Sequence, residues 1–353
     1  MPEHSAIREA TDHLISDLLA RERPRLHALG LSEHEEALRA FLLNAGGKRM
    51  RALFCYWGWR GASGNNRTGL DMVHMAAAAL ELNHSAFLIH DDILDRSELR
   101  RGQPTLYRRF ANHHAAQKGY GPSAAFGDAV ALNLGDIAFA WAAELIDRCT
   151  TIGPAQRPSD VYHRMNADAC YGQTLELQIQ ADREYVPGRC LTVATYKAAR
   201  YMLTPPLQIG AALAGADDAV HAAYDAFGTA LGEAYQLRDD LLGVFGNPGV
   251  TGKANLDDLR EGKPTVLFAT ALETSSLAQR VKLLSLYGRR DLDEAAADDL
   301  RALLQDTQAA AAVEEMIRDR SQEAARALKT APITDEAKAA LETLAAHALF
   351  RTR

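Results

Sequence analysis

A chain of 353 residues, 47% hydrophobic and 24% charged, is long enough to bury a large core and too apolar for a disordered tail or linker. Its net charge of −7 argues against a nucleic-acid partner, while a small anionic substrate drawn to a local basic cluster stays open. Cys55, Cys149, Cys170 and Cys190 are too widely spaced for a paired metal motif or a disulfide framework. The first residues carry no apolar signal core, and no uninterrupted apolar run approaches a membrane span, so a cytoplasmic protein with reduced thiols is expected.

Apolar residues recur at three- and four-residue spacing over 6–29, 33–44, 47–61, 71–96, 124–149, 158–182, 190–203, 217–246, 265–286, 291–304, 307–329 and 334–350. Alternating β-branched runs are nearly absent. The pattern predicts an all-α fold, a bundle of about a dozen helices around a central apolar cavity. Breaks fall at Gly46-Gly47, at 61–69, at 119–122, at Pro187-Gly188, at Pro205-Pro206 and at 246–249. None is long enough to serve as a linker, so residues 1–353 are read as a single domain.

In chain order, the first chemistry is a basic cluster, Lys48, Arg49 and Arg51, after the glycine pair. Taken alone it is an ordinary basic helix start. The 71–96 helix follows, apolar on most sides and therefore buried, and it ends in Asp91, Asp92 and Asp95. Asp91 and Asp95 lie one turn apart on one face, with Asp92 about 100° away. Two carboxylates about 5 Å apart repel by roughly 3 kcal/mol at an effective dielectric near 20, so the helix end needs a cationic partner. All-oxygen donors without a nearby cysteine suit Mg²⁺, which keeps several waters and bridges carboxylates to substrate phosphates. Arg100 and Arg101 come next as phosphate-directed donors. An isolated acidic triplet is equally a solvated helix end. A second one argues otherwise: Gln236, Asp239 and Asp240 close the 217–246 helix, and Lys253 and Lys263 follow them as Arg100 and Arg101 follow the first set.

His84 on an apolar helix would by default be a satisfied core histidine, and its offset of seven residues from Asp91 is what singles it out. Gln173 reads equally as a packing amide, and Arg108, Arg109, His113 and His114 as a solvated face.

With Gly46-Gly47-Lys48-Arg49-Met50-Arg51, His84, Asp91-Asp92-x-x-Asp95, Arg100-Arg101-Gly102-Gln103-Pro104-Thr105, Gly172-Gln173, Lys197, Gln236-x-x-Asp239-Asp240 and Lys253 in order, the sequence resembles the trans-prenyl diphosphate synthases, and among them the bacterial geranylgeranyl diphosphate synthases. The resemblance spans about residues 40 to 270. It implies the all-α isoprenoid-synthase fold, Mg²⁺ dependence with about three ions when substrate is bound, a homodimer, and elongation of an allylic diphosphate by isopentenyl diphosphate. By the same resemblance Asp91 and Asp95 ligate metal from one side and Asp239 from the other. Arg100, Lys197 and Lys253 contact the allylic diphosphate, while Lys48, Arg51, His84 and Arg101 form the isopentenyl diphosphate site. Asp92 and Gln236 belong to the catalytic set, with Gln236 and Lys197 holding the site around the allylic cation. The departing diphosphate can take the proton, so no Ser-His or Cys-His nucleophile is required.

Three positions depart from the family pattern. Gly243 stands where many members have the last Asp of the second motif, Ala198 follows Lys197 where Thr is common, and Ala52 replaces a frequent Pro. For product length, Phe87 lies one turn, about 6 Å, below Asp91 and forms a floor for the growing tail, while Ala86 leaves space beside it. That combination fits a C20 product, with C15 and C25 as alternatives. The rivals are a class I terpene cyclase and a non-catalytic partner subunit. Lys48, Arg51 and the Asp239-Asp240 pair argue against the first, and the intact acidic and basic sets against the second.

Overall fold

The computed structural model describes residues 2–43, 48–64, 66–149, 157–246 and 256–349, which fall into two compact units. Among the described residues the structure is all-α apart from one two-stranded hairpin.

The first unit, residues 1–159 and 209–215, contains α1 (Pro2–Ala28), α2 (Ser32–Leu42), α3 (Met50–Ser63), α4 (Leu70–Leu94), α5 (Leu106–Ala116) and α6 (Ser123–Asp147). Between α4 and α5 runs the hairpin, β1 (Leu99–Arg100) and β2 (Gln103–Pro104). Helix α4 is apolar nearly all round, with Val73, Ala76 to Leu80, Leu82, Ala86 and Ile89 buried, and it packs against α1, α3 and α6. Its acidic end is thereby fixed by the core. Helix α5 lies where the basic residues 108–114 read as a solvated face. Instead His114 is buried, bonded to Ser123 Oγ at 3.0 Å and stacked on Phe126.

Helix α6 qualifies the expectation about membrane spans. Its 25 residues include an 18-residue window of mean hydropathy 1.5, the length and composition of a span, although Asp128 and Asp136 interrupt any continuous apolar run. It nonetheless packs as a core helix: Ala131, Leu134, Ala138, Ala142, Leu145 and Ile146 are buried, and Gly127 and Gly135 let α5 and His90 of α4 approach. Two of its acids are paired within the unit, Asp128 with Arg96 at 2.8 Å and Glu144 with Arg21 at 2.7 Å.

The second unit, residues 160–208 and 216–353, takes in most of α7 (Pro158–Asp182), α8 (Pro187–Ala194) and a π-helical stretch, Thr195–Leu203, which runs directly into α9 (Thr204–Ala214). Pro205 and Pro206 therefore do not break the helix. They sit in the first turn of α9 and donate no N–H, and before them the ladder is wider, with Thr204 N–H reaching Ala199 O. The central element is α10 (Asp218–Phe245), started by Asp217, whose carboxylate accepts from Val220 N at 3.0 Å. After it come α11 (Asp257–Glu261), α12 (Val266–Thr274), α13 (Leu277–Leu286), α14 (Glu294–Asp306), α15 (Ala309–Thr330) and α16 (Asp335–Leu349). The predicted helix over 265–286 is two helices, because Ser276 and Gln279 form a capping box that starts α13 afresh.

Candidate active site

In the first unit the end of α4 and the hairpin are built together. Asp95 caps the helix, and Ser97 N–H bonds back to Asp92 O at 3.0 Å. Arg101 and Gly102, both with positive φ (53° and 75°), form the two-residue turn between Arg100 and Gln103. Such a turn matches strand twist and demands left-handed backbone, which glycine adopts freely and arginine does not. Thr105 closes the loop by donating to Ser97 O at 2.9 Å. The result holds Arg100 over the helix end, where its Nε donates to Asp92 Oδ1 at 3.0 Å.

The three carboxylates are therefore not equivalent. Asp92 is 1% exposed, its Oδ2 has no hydrogen-bond partner, and burial lifts its pKa to about 6 against the pull of Arg100. Asp91 and Asp95 are half-exposed.

Beside them lies a cavity of about 150 Å³ whose wall includes Arg49, Glu81, His84, Arg100, Arg101 and Arg109. His84 is held neutral there: burial, then the charges of Arg51, Arg101, Arg100 and Arg49, push its pKa well below 6.5. Four arginines thus surround one neutral imidazole, an arrangement suited to a multiply charged anion. Lys48 is exposed, next to residues 44–47, which lie outside the described set together with the glycine pair.

Arg49 belongs to the basic cluster read from the sequence, whereas motif spacing does not point to Glu81; both shape this cavity. Arg49, in left-handed backbone at the head of α3, donates to Leu42 O at 2.8 Å and pairs with Asp12 of α1 at 2.6 Å. Its Nη1 stands 3.6 Å from the buried Glu81 carboxylate, which also accepts from Ala52 N at 3.3 Å. This network joins α1, α3 and α4 around the start of α3, where Lys48 and Arg51 sit. Its charged members Asp12, Arg49 and Glu81 are 32 to 69 residues apart, beyond the reach of local pattern.

The second unit holds a cavity of about 170 Å³ of the opposite character, lined by Glu176, Lys197, Gln236, Asp239, Asp240, Asp258, Lys263 and Thr265. Carboxylates outnumber ammonium groups in its wall. Gln236 Nε2 donates to Asp240 Oδ1 at 2.8 Å, and burial, opposed by that bond and reinforced by Asp239, Asp258 and Glu176, lifts the Asp240 pKa to about 8. Lys197 rises from the π-helical stretch to pair with the buried Glu176 of α7. A Cβ at Gly172 would fall 2.8 Å from Tyr196 Cβ, so glycine lets α7 reach that stretch. Gln173 is half-buried on α7, and Ala198 is buried. Lys253 lies outside the described residues.

Among the described residues no three His, Cys, Asp or Glu side chains converge closely enough to hold a metal ion by themselves. What the two units offer is all-oxygen donors on helix ends, the donor chemistry of Mg²⁺ that shares its shell with water and phosphate.

Such a fold with such helix ends defines a class. The profile of the polyprenyl synthetase family matches residues 33–304, and the chain belongs to that family, a prenyltransferase. Its sequence is 31% identical over 297 residues to geranylfarnesyl diphosphate synthase of Aeropyrum pernix, covering 82% of this chain and 81% of that protein. It is 30% identical over 266 residues to geranylgeranyl diphosphate synthase of Methanosarcina mazei, covering 74% and 72%. Its structure superposes on geranylgeranyl pyrophosphate synthase from Corynebacterium glutamicum, solved with isoprenyl diphosphate and magnesium, with a TM-score of 0.91 at 31% identity over 99% and 98% of the chains.

Proposed function

We propose that the protein condenses isopentenyl diphosphate head-to-tail with an allylic diphosphate, in the presence of Mg²⁺, to give geranylgeranyl diphosphate (C20). The observation that carries this is the opposite charge of the two cavities: one arginine-rich, suited to a bare diphosphate, and one carboxylate-rich, suited to a diphosphate that arrives with cations.

In this reading Lys48, Arg51, His84 and Arg101 bind the isopentenyl diphosphate, and Arg49 joins them. Neutral His84 donates a hydrogen bond without adding to the crowding of positive charge. Asp91, Asp95 and Asp239 hold Mg²⁺, which when bound neutralises the charge that develops on the departing diphosphate. Arg100, kept in place by Asp92, and Lys197 and Lys253 contact the same allylic diphosphate. Gln236 holds Asp240 and, with Lys197, the surroundings of the allylic cation. The double bond of isopentenyl diphosphate attacks that cation, and the released diphosphate takes the proton. A cytoplasmic homodimer belongs to the same proposal, on the resemblance alone.

The C20 length rests on Ala86 and Phe87. Ala86 is fully buried, and the half-buried Phe87 ring packs edge-on against Phe139 of α6 with centroids 4.8 Å apart. A floor stacked on a second aromatic is stiff, and an alanine beside it leaves room. The experiment is to incubate the protein with Mg²⁺, labelled isopentenyl diphosphate and dimethylallyl, geranyl or farnesyl diphosphate in turn, and to determine product length by mass spectrometry. A single C20 diphosphate is expected, and a C15 or C25 product would overturn the assigned length.

A further inference from the structure

The π-helical stretch Thr195–Leu203 gives Lys197 its place in the second cavity, and nine residues of that uncommon geometry need support from their neighbours. They are held from two sides. On α10, Gly228 and Gly232 stand one turn apart, and methyl groups there would overlap Thr204 Oγ1 and Ala199 Cα. Gln236 and Asp240 continue the same spacing of four residues, so the face of α10 that receives the stretch runs on into the face that lines the cavity. On α7, Gly172 lets Tyr196 and Lys197 approach. A glycine face is smooth: it sets how closely two helices lie, and leaves their register along one another to other contacts.

Thr195, the first residue of the stretch, provides such a contact. Its Oγ1 lies 2.9 Å from Leu191 O, the back-bond of a helical threonine to the residue four before it, and 2.8 Å from Glu233 Oε1. One hydroxyl hydrogen is thus shared between a neutral carbonyl and a carboxylate, and the charged acceptor is the stronger. Glu233 follows Gly232 on α10 and is 8% exposed. Its Oε2 pairs with Arg320 Nε of α15 at 2.7 Å, so each oxygen has its own partner. Arg320 also donates to Glu323 on its own helix at 2.8 Å. The guanidinium neutralises Glu233 from one side while the carboxylate holds the stretch on the other. On the α7 side the Arg200–Asp168 pair, at 3.6 Å with an exposed guanidinium, is a looser tie.

We infer that Glu233 is a positioning residue for Lys197: through Thr195 it sets the register of the π-helical stretch on α10, so that Lys197 and Gln236 face one cavity. The inference rests on the proposed contact of Lys197 with the allylic diphosphate. Glu233 lies outside the cavity wall and acts through the helix it holds.

The test is steady-state kinetics of the full-length protein with Mg²⁺, each diphosphate varied in turn, alongside melting curves. Thr195→Val keeps shape and charge and removes the hydroxyl. It is expected to lower kcat/KM for the allylic diphosphate by about tenfold or more, with KM for isopentenyl diphosphate unchanged. Glu233→Ala should do the same, and the double variant should be no slower than the slower single one, because both remove one contact. Thr195→Ser, which keeps the hydroxyl, should retain wild-type kinetics. A buried acid that served stability alone would lower the melting temperature without separating the two substrates. Should Glu233→Ala fail to fold, Thr195→Val alone decides. Equal effects on both diphosphates, or wild-type kinetics in Thr195→Val, overturn the inference. No elongation by the wild-type protein removes the functional reading itself, an outcome distinct from normal kinetics in every variant.

Discussion

Asp92 and Arg100 show how adjacent, chemically identical residues take different tasks. Asp91 and Asp95 stay accessible, while Asp92 faces inward and spends one oxygen on Arg100. Removing one partner of such a pair leaves the other with an unmet bond, so Asp92→Ala should lower stability by about 2 kcal/mol in urea denaturation. It should also reduce turnover, because Arg100 loses its anchor. Unchanged stability would contradict the pairing. His84 carries a pH prediction. Its folded pKa is depressed, chiefly by burial and then by the surrounding arginines. The stability its neutral form contributes is therefore fully present above the ordinary histidine value of about 6.5 and is lost as pH falls toward the depressed one. The melting temperature should fall on acidification from neutral pH, and His84→Gln should show a shallower fall by scanning calorimetry. Equal slopes would contradict the assignment. The acidic and basic motifs were legible in the sequence because their chemistry is concentrated in short runs with unusual charge. Glu81 was not, since its partners Arg49 and Ala52 lie about thirty residues away along the chain.

At the scale of elements, helical periodicity located most of the helices because their buried stripes are continuous. It failed where packing overrode composition. Helix α5 was hidden by Arg108, Arg109, His113 and His114, whose polarity masks the buried stripe of Leu106, Tyr107, Phe110 and Ala111, to which His114 itself belongs. Pro205 and Pro206 read as a break, although proline in the first turn of a helix removes N–H groups that would lack partners anyway. The π-helical stretch that carries Lys197 left no signal in the sequence. Its neighbour on α10 is Gly232, where a methyl would collide with the Ala199 backbone. Gly232→Ala is expected to destabilise by about 2 kcal/mol through overpacking, in spite of alanine's better helix propensity. A neutral or higher denaturation midpoint would show that the two helices have room to spare.

At the scale of the whole molecule, the proposed condensation assigns one substrate diphosphate to each of two cavities of opposite charge, one in each unit. The family and fold follow from the profile and structural matches together. Product length is a finer property, which the proposal assigns to Ala86 and Phe87 near the end of α4, and the relatives themselves span geranylgeranyl and geranylfarnesyl synthases. Phe87→Ala should remove the floor packed on Phe139 and lengthen the product. An unchanged product distribution by mass spectrometry would place the floor elsewhere.

The most direct test of the account is the Mg²⁺-dependent incorporation of labelled isopentenyl diphosphate by wild-type protein and by Asp91→Ala, with an allylic diphosphate as primer. The wild type should incorporate label only with Mg²⁺. Asp91→Ala should be slower by about 10² to 10³, on the order of 3 kcal/mol in barrier, with its fold intact by circular dichroism. Near-normal turnover and normal Mg²⁺ dependence in Asp91→Ala would contradict the assignment of the α4 carboxylates, and no incorporation by the wild type with any primer would contradict the elongation reaction itself.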